Sequence, residues 1–211
     1  MIHIVNAENI GAYADQVMQM HRLRYRVFAE RLNWEVQTSG DMEFDIYDTM
    51  SPTYLLSIDD DGIVRGSLRL LPTTGPYMLK DVFPVLLGGH DAPSDPRILE
   101  SSRFAVDHEI RGEDRSAGVA RTTYELFLGL IEVSLEREIG HIVTVVDQRM
   151  EIIIKRSRMA WERYGKAYKI GNVMTVAGLG EMSRQTLAAV RARTAIEESV
   201  IHRPQQIEIA A

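Results

Sequence analysis

The spacing of hydrophobic and polar positions changes several times along the chain, and each change predicts an element. Ile2 to Val5 is a short apolar run that predicts a strand. Ile10, Tyr13, Val17, Met20, Val27 and Phe28 then follow helical spacing, with Asn6 or Asn9 placed to cap that helix. Arg24 lies four residues from both Met20 and Phe28, so it shares their face; an arginine on an apolar stripe needs a partner or a ligand. Arg31 to Pro52 is aromatic and acidic without a clear period, which predicts an ordered loop lying over something. Tyr54 to Ile58 and Ile63 to Leu71 read as a hairpin turning on Asp59-Asp60-Asp61-Gly62. Pro72 to Pro96 reads as irregular, with one short helical turn. Ile98 to Val106 is a further strand. Arg115 to Ile139 is a helix closed by Gly140, Ile142 to Val146 a buried strand, Met150 to Tyr164 a helix ending near Gly165, and Val173 to Ala177 the last core strand. Glu181 to His202 is polar and helical in propensity, with weak commitment to a core.

An early hairpin followed by alternating helices and strands predicts a mixed α/β or α+β sheet with helices on its faces. At 211 residues, one well-filled core is expected. Hydrophobic residues make up 45% and charged residues 26%, which separates the chain from disordered and fibrous classes. The net charge of -6 supplies no basic field, so nucleic acid is not the expected partner. The absence of cysteine excludes disulfides, thiolate metal sites and a cysteine nucleophile. With no signal peptide visible and no run of ~18 apolar residues, neither export nor a membrane is expected, and the expected location is cytoplasmic.

The chemistry-bearing residues are dispersed. They begin with Arg24, Phe28 and Trp34, continue through Asp45, Asp48, Arg69 and Phe83, and end in Glu100-Ser101-Ser102-Arg103-Phe104. Singly, each has an ordinary explanation: loop acids for Asp45 and Asp48, core aromatics for Phe28, Trp34, Phe83 and Phe104, a surface ion pair for Glu100 and Arg103. Together, the segments Leu23-Arg24-Tyr25-Arg26-Val27-Phe28, Leu32-Asn33-Trp34-Glu35-Val36, Asp45-Ile46-Tyr47-Asp48, Ser67-Leu68-Arg69-Leu70-Leu71-Pro72 and Glu100-Ser101-Ser102-Arg103-Phe104 stand in the order and spacing of one family. The chain resembles the LuxI family of autoinducer synthases over roughly residues 1 to 180, with 181–211 as a C-terminal tail packed on or extending from that domain.

The resemblance implies an acyl-homoserine-lactone synthase. Such an enzyme acylates the amine of S-adenosylmethionine and closes its methionine part into a lactone, with no further cofactor. It also implies a single-domain acetyltransferase-like (GNAT-like) sandwich with a mostly antiparallel, bulged sheet. Within that frame, aromatic faces and carboxylates suit the sulfonium, for which Phe28, Trp34, Asp45 and Asp48 are candidates, with Phe83 and Phe104 as further residues of the S-adenosylmethionine site. Arg24, Arg69 or Arg103 suit the substrate carboxylate. Glu100, directly or through water, is the expected general base, and backbone N–H groups around Ser101 to Phe104 the oxyanion donors. Glu100 and Arg103 have opposite parity on a flat strand, so both serve one site only if a β-bulge or bend intervenes.

The acyl side is less determined. Arg115-Ser116-Ala117-Gly118-Val119-Ala120 fits the R-x-x-G-x-A pattern of acetyltransferase phosphate loops, which leaves the donor open between acyl carrier protein and acyl-CoA. Thr144 stands where family members often place a threonine that contacts a 3-oxo group. Arg149, Lys155 and Arg156 form a basic helix edge suited to an acidic carrier protein. Arg158-Met159 depart from the Gly-Trp that many members carry, with Trp161 two residues beyond. Two rivals stay open: an N-acetyltransferase acting on another amine, favoured by the Arg115 loop, and a catalytically inert domain that senses S-adenosylmethionine.

Overall fold

A computed structural model describes residues 1–107, 115–116 and 119–203 of the chain. Seven strands lie side by side in the order β1 (Ile2–Val5), β4 (Thr53–Ile58), β5 (Val64–Pro72), β6 (Ile98–Val106), β9 (His141–Asp147), β12 (Val173–Glu181) and β10 (Trp161–Arg163), and β11 (Tyr168–Ile170) pairs with the other end of β12. Off this sheet, β2 (Thr38–Ser39) pairs with β3 (Met42–Glu43), and β7 (Arg115–Ser116) with β8 (Val119–Ala120). Neighbours in the large sheet are antiparallel except β6 and β9, which run parallel. A parallel pair needs a crossover, and α3 (Arg121–Glu136) supplies it.

The sheet is buried on both faces. Met20 and Leu23 of α1 (Ala14–Arg24) pack with Val5, Tyr54, Leu56 and Ala105 on one face. On the other, α3 packs against Ile2, Leu55, Leu68, Leu70 and Ile142. Leu126 to Ile131 are buried without a break, so α3 is a core helix rather than a surface one. It lies so close to β1 that a Cβ on Gly129 would come within 3.0 Å of Ile2. The single turn α2 (Met78–Asp81) closes one end of the α1 face. No helix among the described residues is long and apolar enough to cross a membrane.

Several boundaries differ from the sequence expectation, each for a physical reason. The first helical stretch is split: a 3-10 turn (Ile10–Tyr13) precedes α1, and a π-helical turn (Tyr25–Arg31) follows it. The Asn9 side chain accepts from the Asn6 N–H and donates to the Ile4 carbonyl, and Asn6 Oδ1 accepts from the Glu8 N–H, so neither caps α1. α3 starts at Arg121 rather than Arg115, because β7 and β8 take up the chain before it, and Glu138 (φ 56), not Gly140, adopts the left-handed turn behind it. The helix expected over Met150 to Tyr164 is α4 (Gln148–Arg156) alone, with Asp147 capping it through the Met150 N–H. Arg158 (φ 66) then reverses the chain, and Trp161–Arg163 forms β10. The C-terminal segment is committed to the core: α5 (Arg184–Thr194) buries Val190, and Val200 and Ile201 lie against β1.

Candidate active site

One inserted residue decides which side chains meet. Ser67 of β5 faces Ala105, but Arg69 faces Ser102, so Arg103 and Phe104 together stand opposite Leu68. Arg103 takes φ +52 to make this bulge, a conformation that strains any residue with a Cβ. On a regular ladder Arg103 would point to the α3 face. The bulge turns it to the α1 face, where Glu100 and Ser102 already point, and it sends Phe104 the other way.

On the α1 face three guanidiniums meet three carboxylates. Arg24 donates to Glu43 at 2.5 Å and grips both oxygens of Asp48 at 2.9 Å. Arg69 donates to Asp45 at 2.5 and 3.0 Å, to Asp48 at 2.8 Å and to Ser102 Oγ at 3.2 Å. Arg103 donates to Glu43 at 2.9 Å and pairs with Asp45 at 2.8 Å. Arg24, Arg69 and Glu43 are at most 1% exposed, and arginine's fixed fork of donors is what allows such two-handed bonding. Burial alone would push the Asp48 carboxyl up; the Arg24 hydrogen bonds and the nearby Arg24 and Arg69 charges more than offset it and hold it well below the usual carboxylate range. The loop that supplies the acids is itself locked, because Asp45 and Asp48 cap each other's backbone in a capping box.

Aromatic rings line this cluster. Phe28 and Trp34 stack with centroids 5.4 Å apart, and Arg103 lies 5.5 Å over the Phe28 ring. Arg69 lies 5.6 Å over Tyr47, with Phe83 packed nearby. Burial, aided by Asp81, raises the Tyr47 phenol to about 12. Glu43 was not distinguished in the sequence from the other acids of its loop, although it joins Arg24 to Arg103. Its only advance signal was the need of Arg24 for a buried counter-charge.

Glu100 sits beside this network with 1% exposure. Its oxygens accept from the Met78 N–H at 3.0 Å and the Leu79 N–H at 2.7 Å. Burial raises its carboxyl to about 7, against the pull of those amides and of Arg69 and Arg103. Each carboxylate oxygen retains a second lone pair, so the group is held without being saturated. Met78 adds its thioether, 3.3 Å from Arg69 and 3.4 Å from Arg103.

The α3 face carries a different surface. An apolar pocket of about 40 Å³ is lined by Phe104, Phe127, Met150, Met159 and Trp161, with Ser101 and Thr144 as its hydroxyl-bearing residues. Phe104, expected in the S-adenosylmethionine site, thus lies on the opposite face, and Ser101 lies there too. The pairing of β6 with β9 stops part-way along both strands. The β6–β9 ladder runs from Ile98↔His141 to Ser101↔Thr144, and both strands continue beyond it. The bulged part of β6 therefore parts from β9 just where Arg103 points to one face and Phe104 to the other.

The remaining expected residues lie elsewhere. Lys155 and Arg156 line a shallow surface concavity of about 510 Å³ together with Ile152, Arg158 and Arg193. Arg149 is exposed on the first turn of α4, outside that lining. Arg115 lies on β7, next to the start of α3, and Gly118 falls outside the described residues. Among the described residues no group of histidines and carboxylates is placed to hold a metal ion.

The model of the autoinducer synthase family matches residues 9–190. The chain belongs to the autoinducer synthase family. An acyl-homoserine-lactone synthase of Pseudomonas aeruginosa is 39% identical over 182 residues, covering 85% of this chain and 89% of that one. The structure of a CoA-dependent acyl-homoserine lactone synthase, solved with SAM and isopentyl-CoA, superposes with a TM-score of 0.85 at 28% identity over 96% of this chain and 92% of that one. An N-acetyltransferase of Lactobacillus plantarum shares the fold at 15% identity and a TM-score of 0.56, covering 86% of this chain and 99% of that one. The autoinducer synthase fold seen here is accordingly the GNAT-like sandwich that the sequence led us to expect.

Proposed function

We propose that this acyl-homoserine-lactone synthase binds S-adenosylmethionine on the α1 face and the acyl chain on the α3 face, and joins them at the parting of β6 and β9. The observation that carries the reading is the bulge at Arg103. It brings Arg103 to Arg24 and Arg69 in one polar site and leaves Phe104 beside Thr144 in an apolar one.

In this reading Phe28 and Trp34 face the sulfonium, with Asp45 and Asp48 as nearby carboxylates, and an arginine of the cluster holds the substrate carboxylate. Glu100, with its carboxyl raised to about 7, takes a proton from the α-amine, directly or through water. The amine nitrogen then attacks the thioester carbonyl, and backbone N–H groups around Ser101 to Phe104 receive the oxyanion. Collapse forms the amide and releases the carrier thiolate, which takes up the proton. The methionine carboxylate next attacks its own Cγ and expels methylthioadenosine. That step depends on positioning, since the sulfonium is already a good leaving group. Thr144 meets a 3-oxo group where one is present.

The donor is an acyl thioester on a phosphopantetheine arm. The basic concavity at Lys155, Arg156, Arg158 and Arg193 suits an acidic carrier protein, while the likeness to a CoA-dependent synthase supports acyl-CoA as well. The catalytic part is residues 1–180, and the segment from residue 181 supports it from the α3 side. Both reactants belong to central metabolism, and cytoplasmic action is part of the reading. Incubation with S-adenosylmethionine and a panel of acyl-carrier-protein and acyl-CoA thioesters, followed by mass spectrometry, tests it. Lactone with matching methylthioadenosine is expected; acylation without methylthioadenosine would instead identify an N-acetyltransferase.

A further inference from the structure

The corner between α4 and β10 holds a buried carboxylate that the chemistry above does not use. Glu151 accepts hydrogen bonds from Arg163 Nε at 2.6 Å and from Trp161 Nε1–H at 3.2 Å, and pairs with Lys155 at 2.8 Å. Its second oxygen is held by the other arm of the Arg163 guanidinium. A buried carboxylate needs a counter-charge, and two cations already meet that need. The indole adds nothing to neutralisation; its hydrogen bond fixes the ring.

The ring lies on bare backbone. A Cβ built on Gly178 would stand 2.3 and 2.6 Å from Trp161 Cζ2 and Cη2, so only glycine leaves that space to the indole. The main chain of Trp161 is also paired to Gly180. Held by a hydrogen bond at one edge and seated on β12, the side chain is a rigid part of the pocket wall.

Its place in the pocket sets a length. Ser101, Thr144 and Gly178 form one row across β6, β9 and β12. Neighbouring strands are ~4.8 Å apart, so the indole over Gly178 stands about 10 Å from Ser101. With C–C bonds of about 1.5 Å, an extended acyl chain advances about 1.25 Å per carbon and covers that distance in about eight carbons. The pocket of about 40 Å³ admits such a chain only as the pliable Met150, Met159 and Met182 side chains give way. We infer that Glu151 is a positioning residue that holds Trp161 as the end wall of the acyl pocket, so that donors of about eight carbons or fewer are preferred. This rests on the acyl-homoserine-lactone reading above.

The test uses the full chain, S-adenosylmethionine, and acyl-carrier-protein and acyl-CoA thioesters of about four to about twelve carbons. Pocket discrimination of one or more methylenes is worth about tenfold or more. We therefore expect Trp161→Leu to raise kcat/KM for the longest donor relative to the eight-carbon one by at least about tenfold. Glu151→Leu should move the profile the same way. Glu151→Gln, which retains a carbonyl acceptor for the indole N–H, should stay near the parent, and KM for S-adenosylmethionine should be unmoved throughout. Where thermal melting shows Glu151→Leu to be unfolded, Trp161→Phe replaces it: the ring remains without its N–H, and a shift toward longer donors is again expected. An unchanged profile in Trp161→Leu, or a parent with no decline beyond eight carbons, overturns the wall while lactone formation keeps the functional reading intact. An unmoved profile in Glu151→Leu or its replacement overturns the part given to Glu151. A parent that makes no lactone from any donor overturns both.

Discussion

At the scale of single residues, Glu100 combines deep burial with a carboxyl raised to about 7. Activity that depends on its charged form should rise with pH through about 7. Glu100→Gln should remove that limb and lower kcat by about 10²- to 10⁴-fold, which a pH–rate profile of methylthioadenosine release measures. The stability effect has the opposite sign. A carboxyl raised by folding binds its proton more tightly in the native state, so its contribution is complete below the unfolded value near 4.5 and lost as pH rises through about 7. Denaturant midpoints of the parent should therefore fall over that window more than those of Glu100→Gln. Thr144→Val should lose turnover on 3-oxo donors while retaining it on plain chains, and equal turnover on both would remove the threonine's role. The residue scale is also where sequence reading met its limits. Arg24 announced itself as a charge on an apolar stripe, but its partner Glu43 did not, because one acid in an aperiodic loop looks like the next. Phe104 was grouped with the other aromatics by residue type, and the bulge beside Arg103 carries its ring to the α3 face.

Among elements, long periodic segments were legible and short ones were not. β6 has the bounds its apolar pattern predicts, and the hairpin of β4 and β5 lies within a residue of its expected ends. β10 spans three residues, too few to show an alternation, so the helical propensity upstream was carried through it. The C-terminal segment misled differently: its few apolar residues are spread thinly in sequence but converge on one surface. Glu132 organises that convergence, accepting from Arg191 at 2.9 Å, Ser199 Oγ at 2.6 Å and the Val200 N–H at 3.3 Å. Its loss leaves the Arg191 guanidinium without its carboxylate; removing one partner of a fully buried pair typically costs about 3–5 kcal/mol, and the effect here is smaller because Arg191 is about a third exposed. Glu132→Ala should lower the melting temperature, and hydrogen exchange should rise over Arg184 to Ile201 before it rises in β5 and β6. Uniform loss of protection would instead make Glu132 part of the central core.

For the molecule as a whole, the polar site and the basic concavity differ electrically. Three guanidiniums and three carboxylates balance one another before any reactant arrives, whereas the concavity gathers Lys155, Arg156, Arg158 and Arg193 at the surface. Exposed charges are screened over about 8 Å at physiological ionic strength, buried pairs much less. Added salt should therefore raise KM for a carrier-protein donor several-fold while leaving KM for S-adenosylmethionine nearly constant, as steady-state kinetics at two salt concentrations would show. Equal sensitivity of both would place carrier docking elsewhere. The bulge at Arg103 has a wider consequence. A sheet read two residues at a time behaves like a text with a reading frame, and the extra residue is a frameshift that reassigns each later side chain to the other compartment. Deletion of Arg103 would leave Phe104, Ala105 and Val106 opposite Leu68, Ser67 and Gly66, on the faces they now hold, so the loss falls on the polar site alone. A regular ladder that kept Arg103 would do the reverse: the same letters, read in the unshifted frame, would put the guanidinium among the oily side chains and Phe104 among the charged ones.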